Sequence, residues 1–379
     1  MLRKRICIGG NRVLLLVPVV ILIFHAFSAK ELLRRQPGSR SSGAEKRKKI
    51  DHLLLGPAAG EGRSDRLHCR GTKAMNTTAA EKLKNSFHTA DPVALVTVFI
   101  AYNDSKPTDP VTVGNVSYSK SERSMAILNI FINFIKISMP RSSVIILTDP
   151  ISELKLQRDM VMIQPIKGEY SRDKLMLQRI RSYIAFLEMR LQKQEIRTHY
   201  VFTDSDMAVV GDLSTIFAEY PNFDLAVTFR NNKEQPLNSG FIAVRGTIEG
   251  IQRAKAFLEQ VLKIYSSKFG RASRMLGDQL ALAWTIRSDP NFDARRFSAG
   301  DAFVDRIGGA TVLFLPCSTY NWTPPEGAGQ FHGMPLDVVH FKGSRKRLMV
   351  ESWNFFSSSS NLSDTLCLVL RSGRTKYDF

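Results

Sequence analysis

Between Pro92 and Phe341, short apolar runs alternate with longer amphipathic segments, and this alternation restricts the fold more than any other feature. The first run, Val93–Ala101, is apolar at nearly every position, as expected of a strand covered on both faces. Further strands are predicted at 143–148, 160–166, from 199 onward, at 224–230, 236–245, 311–316 and 338–341, and helices at 122–137, 172–192, 248–265 and 280–286. This alternation predicts an α/β domain with a mainly parallel sheet flanked by helices.

Two carboxylates interrupt the apolar run that begins at His199. In extended chain, alternate side chains share a face, so Asp204 and Asp206 could bind one hard cation. A turn with Asp, Ser and Asp is also common at strand ends, so the pair alone does not decide. In parallel sheets, ligands bind beyond the carboxyl ends of the strands, where this pair and Tyr102–Asp104 both fall. The sequence therefore predicts a binding site at that edge.

The N-terminus carries basic residues ahead of an uncharged apolar run, Val13–Phe27. This run is shorter than the roughly 20 residues that a spanning helix usually needs. Two interpretations remain, a short signal-anchor and a signal peptide cleaved near Ala26–Ser28. The anchor is favoured because no sharply polar cleavage region follows Ala29. Residues 1–29 are thus predicted as a single-pass type II anchor in the Golgi or ER membrane, with the rest luminal.

The net charge of +18 is concentrated near the N-terminus, since the first 73 residues hold 16 of the 53 Lys and Arg but 5 of the 35 Asp and Glu. The remainder has neither aromatic interleaving nor a recognised nucleic-acid motif, so we expect no nucleic-acid partner. Residues 30–90, rich in Gly, Ser, Pro and basic residues, are predicted as a flexible stem. One domain at 91–356 and a tail at 357–379 complete the predicted organisation.

Two further features agree with a luminal domain. Sequons for N-glycosylation occur at Asn76, Asn103, Asn115, Asn321 and Asn361. Three cysteines follow the apolar run, and Cys317–Cys367 is the preferred pair because Cys69 lies in the predicted stem. Cysteine spacing does not establish the connectivity.

Four short motifs follow one another in the predicted domain. They are Asp204-Ser-Asp206, Asn238-Ser-Gly240, Asp278-Gln279 and His340-Phe-Lys-Gly343-Ser-Arg-Lys346. Their order and spacing resemble those of the glycogenin-like retaining glycosyltransferases (family 8 and close relatives), which have the GT-A nucleotide-diphosphosugar transferase fold. The resemblance covers roughly residues 92–350. It implies transfer of a sugar, with retention, from a nucleotide-diphosphosugar such as a UDP-sugar to a glycan or glycoprotein acceptor.

The candidate metal ligands also make chemical sense by themselves. Asp204 and Asp206 supply oxygen atoms and His340 a nitrogen, a mixture that suits Mn²⁺ better than Mg²⁺. Gly343 lets the backbone approach a phosphate without a Cβ clash, and Lys346 adds positive charge near a leaving diphosphate. Taken alone, His340 fits a core histidine better than a metal ligand, and residues 342–347 fit a solvated basic turn.

The resemblance implies roles for the other candidates. Tyr102, Asn103 and Asp104 would contact the nucleobase, and Lys174 would contact the donor. Asn238, Asp278 and Gln279 would lie at the transferred sugar. Two alternatives stay open. One is an inactive, glycan-binding or scaffolding relative, and the other is an inverting enzyme with Glu234 or Asp278 as general base.

Overall fold

The computed structural model describes residues 91–102, 110–113, 116–154, 156–193, 197–272, 276–323, 336–346 and 349–350. The predicted anchor, stem and C-terminal tail lie outside these ranges. No helix within them is long and apolar enough to cross a membrane.

All the predicted strands and helices are present, and the structure adds several short elements that the sequence analysis did not predict. The strands are β1 Val93–Val98, β2 Val111–Val113, β3 Val116–Tyr118, β4 Ser143–Thr148, β5 Val161–Pro165, β6 His199–Thr203, β7 Met207–Val209, β8 Leu225–Phe229, β9 Leu237–Val244, β10 Phe303–Ile307, β11 Ala310–Pro316 and β12 Val338–His340. The α-helices are α1 Lys120–Ser138, α2 Leu175–Lys193, α3 Ser214–Glu219, α4 Ile248–Ile264, α5 Gly277–Arg287 and α6 Cys317–Tyr320. A π-helical turn, Tyr265–Phe269, extends α4.

Eight of these strands form one sheet in the order β10-β11-β8-β9-β6-β1-β4-β5. Strands β5, β4, β1 and β6 pair in parallel, and β11 pairs in parallel with β8. Strand β9 runs antiparallel between β6 and β8, and β10 is antiparallel to β11 at one edge. Most strands therefore point the same way, which confirms the prediction of an α/β domain with a mainly parallel sheet.

Both faces of the sheet are covered. Val93 and Leu95 pack in one apolar cluster with α1, whereas Ala94 and Val96 pack in a second cluster with α2, α4 and α5. A strand buried on both faces needs apolar side chains at successive positions. This requirement explains the continuous apolar character of β1.

Local signals set the bounds of α1. The Ser119 side chain accepts a hydrogen bond from the Glu122 N–H, and the Glu122 carboxylate accepts one from the Ser119 N–H. This capping box begins the helix at Lys120, two residues before the predicted start. Pro140 follows the last turn and cannot continue the helix.

The segment with the two aspartates is not one continuous strand. The sequence analysis left open a shared face in extended chain and a turn at the strand end, and the structure shows the turn, because β6 ends at Thr203 and a turn separates it from β7. Strand β7 leaves the large sheet and pairs antiparallel with β12. The extended alternative is wrong because the side chains of Met207–Val209 bury themselves against α1 and β12 rather than continuing β6.

Candidate metal and diphosphate site

The sheet topology brings the predicted motifs to one edge. Asp204 follows the carboxyl end of β6, and its N–H donates to the Gly240 carbonyl at 3.1 Å. Because β9 is antiparallel to β6, its first residues, including Asn238, lie at this same edge. Segment 317–323 follows the carboxyl end of β11, which is parallel to β8.

Strand β12 carries His340 to the two aspartates. His340 pairs with Met207 in the β7–β12 ladder, and the Phe341 N–H donates to the Asp206 carbonyl at 2.8 Å. The turn and this ladder together place a distant part of the chain beside Asp206.

Asp204, Asp206 and His340 form what we call the Asp–Asp–His cluster. One ligand atom from each lies within 4.8 Å of the others. His340 Nε2 is 3.2 Å from Asp206 Oδ1 and 3.7 Å from Asp204 Oδ2. Two carboxylate oxygens and one imidazole nitrogen form a donor set that fits a divalent ion such as Mn²⁺.

Each aspartate divides its two oxygens between the cluster and a cation. Asp204 Oδ1 pairs with the guanidinium of Arg179, which leaves Oδ2 for the cluster. Asp206 Oδ2 pairs with Lys346 Nζ at 3.1 Å, which leaves Oδ1 for the cluster. The Lys346 side chain is about half exposed, so its ammonium group can leave Asp206 and be hydrated by solvent.

The charges around Asp206 keep it ionised. The side chain is buried, which by itself raises the pKa of the carboxyl, but His340 and Lys346 outweigh burial and hold this pKa below its ordinary value. A carboxylate that stays charged while buried is the form that a metal ion requires.

Arg179 is the functional residue that the sequence reasoning missed. It lies on α2, is 6% exposed, and pairs with both Asp204 and Asp278. It also donates to Ser239 Oγ at 3.0 Å, so it contacts three of the four predicted motifs. Burial lowers the pKa of Arg179, but the two carboxylates outweigh burial and raise it well above its ordinary value. The sequence did carry one signal that Arg179 is buried. It lies four residues before Tyr183, and this spacing places both on the face of α2 that packs against the core.

The surroundings of Gly240 show why the Asn238-Ser-Gly240 motif ends in a glycine. A Cβ at this position would lie 2.7 Å from Asp204 Oδ2 and 2.8 Å from Met207 Cε. Asn238 Oδ1 accepts from the Gly240 N–H at 2.9 Å, at the point where the pairing of β9 with β8 is irregular. The missing side chain therefore leaves room for the oxygen that Asp204 turns toward the cluster.

The other predicted sugar-site residues are buried and already hydrogen-bonded. Asp278 Oδ1 accepts from the Gln279 N–H at 2.8 Å, while its other oxygen pairs with Arg179. Gln279 Nε2 donates to Gln235 Oε1 at 3.3 Å. The buried ion pair to Arg179 makes Asp278 a poor free base.

The remaining candidates make no recorded contact with the cluster or lie outside the described ranges. Lys174 is half exposed and pairs with Glu169 at 2.6 Å, so its donor contact stays a prediction. Tyr102 donates to the Tyr170 carbonyl at 2.7 Å and lies under the Arg172 guanidinium. Asn103 and Asp104 are not among the described residues. Gly343 has a φ of +66° with open space at its Cβ position, so backbone conformation is what favours glycine there.

Asn321 and Cys317 also bear on the sequence predictions. Asn321, one of the five sequons, is 2% exposed, whereas the other four sequons lie outside the described residues. Its Oδ1 is 2.9 Å from His340 Nδ1. Cys317 makes no disulfide to any residue that the structure describes, and Cys367 is not one of them, so their pairing stays a prediction.

Comparisons with known proteins give only distant similarity. No protein-family model and no curated protein matches the chain. Among solved structures, the glycosyltransferase GlyE of Streptococcus pneumoniae TIGR4 aligns at 11% identity and a TM-score of 0.32, over 51% of this chain and 42% of that one. A glycosyltransferase involved in the glycosylation of the major capsid of PBCV-1 aligns at 10% identity and a TM-score of 0.40, over 70% of this chain and 100% of that one. This chain thus spans less than half of GlyE, and similarity at this level does not establish a shared activity.

Proposed function

We propose that this chain is a metal-dependent glycosyltransferase of the GT-A fold. It would transfer a sugar, with retention, from a nucleotide-diphosphosugar, in our proposal a UDP-sugar, to a glycan or glycoprotein acceptor. We further propose that residues 1–29 anchor it as a type II protein in the Golgi or ER membrane, with the domain in the lumen. The location rests on the sequence alone.

The Asp–Asp–His cluster carries this proposal. A catalytically inactive relative has no need for two carboxylate oxygens and an imidazole nitrogen aimed at one point. Here Arg179 and the bare Cβ position of Gly240 both support that arrangement. The cluster also lies at the carboxyl edge of the sheet, where α/β folds bind their ligands.

The residues around the cluster suit a departing diphosphate. A bound Mn²⁺ would neutralise the charge that develops on the leaving group. Lys346, released from Asp206, would offer a second positive charge to the same phosphates. Arg179 orients Asp204 Oδ2, since the guanidinium holds the other oxygen.

Retention is supported by the surroundings of Asp278, one of the two candidate bases. Asp278 is 3% exposed and paired with Arg179, so it is not poised to take a proton from an acceptor hydroxyl. Glu234 is exposed on the loop before β9, where its N–H donates to Asn232 Oδ1 at 3.0 Å. Inversion would require one of these two carboxylates to face the acceptor.

The experiment measures nucleotide release from a panel of UDP- and GDP-sugars by the purified full-length protein, with Mn²⁺ and with a chelator. We expect release only with metal. We expect Asp206→Asn to lower the rate by about 10²–10³, the usual cost of losing stabilisation of this kind. NMR of the first product formed would show whether the anomeric configuration is retained.

Glu259→Gln serves as the control, because it removes a carboxylate that pairs with Lys255 on the exposed face of α4. It should leave the rate unchanged. Metal-independent release, or full activity of Asp206→Asn, contradicts the proposed metal site. Mn²⁺ and UDP-sugar binding without turnover on any acceptor would favour the inactive relative instead.

A further inference from the structure

We propose that Asn321 is a positioning residue that selects the metal-binding tautomer of His340. The inference rests on the proposed metal site and deepens it. Nothing in the motif pattern assigns a role to Asn321, which the sequence marks only as a sequon. The side-chain amide of Asn321 would act by linking His340 to Thr228 through hydrogen bonds of fixed direction.

The backbone places Asn321 beside His340. Segment 317–323 runs along β12, where the Trp322 N–H donates to the Val338 carbonyl at 3.0 Å. The His340 N–H donates to the Trp322 carbonyl at 2.7 Å. These two bonds hold the Asn321 side chain next to the imidazole, with Oδ1 at 2.9 Å from His340 Nδ1.

The chain of hydrogen bonds has a defined direction because it ends on a carbonyl. The Asn238 carbonyl can only accept, and it accepts from Thr228 Oγ1 at 3.3 Å. The Thr228 hydroxyl has then used its one proton, so it accepts from Asn321 Nδ2 at 2.9 Å. The amide oxygen of Asn321 therefore faces His340, and it can only accept.

The direction of these hydrogen bonds determines which ring nitrogen of His340 carries the proton. An acceptor at Nδ1 requires the proton of the neutral ring to lie on Nδ1, which leaves the lone pair on Nε2. Nε2 is the atom that faces Asp204 and Asp206. The opposite tautomer would aim an N–H at the metal position and could not bind an ion.

Burial makes this selection strong. Thr228, Asn321 and His340 are 0%, 2% and 4% exposed, so solvent cannot replace a missing partner. An unsatisfied polar group at this depth costs about 1–3 kcal/mol. Removing the outer partner of a metal-bound histidine typically lowers metal affinity by about 10–100-fold.

The same contacts concern the sequon. Asn321 Nδ2 would carry the glycan, but this nitrogen donates to Thr228 inside the fold. A glycan there would break the chain of hydrogen bonds. We therefore expect Asn321 to be unmodified in the active protein.

The experiment titrates Mn²⁺ into the metal-free, full-length protein, produced in a bacterial host without N-glycosylation, and follows free Mn²⁺ by electron paramagnetic resonance. Asn321→Leu, which has no acceptor, should weaken binding by about 10–100-fold. Asn321→Asp keeps an acceptor and should stay within about threefold of the unmodified protein. Thr323→Ala destroys the sequon without touching the amide, and should bind normally.

Melting of the metal-free proteins separates positioning from general damage. If Asn321→Leu does not fold, Thr228→Val tests the same chain, because it frees the amide to turn and should still weaken binding. Equal affinity of Asn321→Leu and the unmodified protein overturns the inference and leaves the metal site intact. Loss of affinity in Asn321→Asp equal to that in Asn321→Leu also overturns it. Failure of the unmodified protein to bind Mn²⁺ overturns both this inference and the proposed function.

Discussion

Two buried histidines lie near opposite ends of β6 and have opposite surroundings. His199 begins the strand and His340 lies beside the turn that follows it, and they are 5% and 4% exposed. Each ring makes one hydrogen bond at Nδ1. What differs is the direction of that bond and the number of carboxylates that face Nε2, since Asp91 Oδ2 lies 3.7 Å from His199 Nε2 and two aspartates face His340 Nε2.

At His199, Nδ1 accepts from the Gly246 N–H at 2.9 Å, and the ring stacks on Phe217 with centroids 4.0 Å apart. Burial and then Arg245 lower the pKa of His199 to about 4, against an opposing effect of Asp91. The surroundings favour a neutral ring that supports packing.

At His340, Nδ1 faces a hydrogen-bond acceptor and Nε2 faces two carboxylates. This environment attracts a cation to the ring edge. Burial and strand position, which the two histidines share, therefore do not identify a ligand. The partners on both ring nitrogens do.

The largest effect should come from making the same substitution at both histidines. Asparagine can reproduce the hydrogen bond at Nδ1 in each case, and it removes Nε2. We expect His340→Asn to lower Mn²⁺-dependent nucleotide release by about 10²–10³, because the cluster loses its nitrogen ligand. His199→Asn should keep normal Mn²⁺ affinity and lose only stability, measured by thermal unfolding. Similar metal affinity in the two variants would remove the distinction between the histidines.

The next effect concerns acid stability. Unfolded His199 should titrate near its ordinary pKa of 6.5, whereas the folded pKa is about 4, so the folded state binds fewer protons between these values. His199 makes its whole contribution to the free energy of unfolding above about pH 6.5. This contribution falls as the pH drops toward 4, by at most about 3 kcal/mol. Urea unfolding at several pH values should show this loss.

His199→Asn should flatten that part of the pH profile, because asparagine does not titrate. A control with an unrelated loss of stability, Ile251→Val in the core, should keep the original slope. An unchanged slope in His199→Asn would assign the acid sensitivity to other groups.

The smallest effect tests the charge around His340. Lys346 pairs with Asp206 Oδ2, so Lys346→Met should strengthen Mn²⁺ binding without nucleotide by about two- to fivefold, the size expected of a half-exposed ion pair. Turnover should fall, because the diphosphate loses a positive partner. Lys346→Arg keeps the charge and should resemble the unmodified protein in the Mn²⁺ titration. Weaker metal binding in Lys346→Met would mean that the lysine supports the cluster rather than competing for it.

Much of the fold could be predicted because burial on two faces leaves a direct pattern. The predicted strand at 143–148 coincides with β4, and α2 begins three residues after the predicted helix start at 172. For Asp204–Asp206 the sequence left both a turn and an extended chain open and could not decide between them, since the apolar run continues on both sides. The direction of the turn depends on β12, which is distant in sequence.

The candidate site was predictable where residue types carry the chemistry. Asp204, Asp206 and His340 were chosen as oxygen and nitrogen donors, and the structure brings them together. Arg179 and Asn321 were not chosen, because an arginine within a helix and an asparagine in a sequon have ordinary explanations. Their partners become visible only when β6, β9 and β12 are assembled.

The sequence by itself determined the α/β class and the carboxyl edge as the place of the site, because alternating burial is a local property of the chain. Only the tertiary structure decided which histidine faces both Asp204 and Asp206 and which oxygen of each aspartate remains for a metal ion. Those choices depend on hydrogen bonds and charges between residues far apart in the chain, such as Asn321 with His340 and Arg179 with Asp204. No local pattern encodes them.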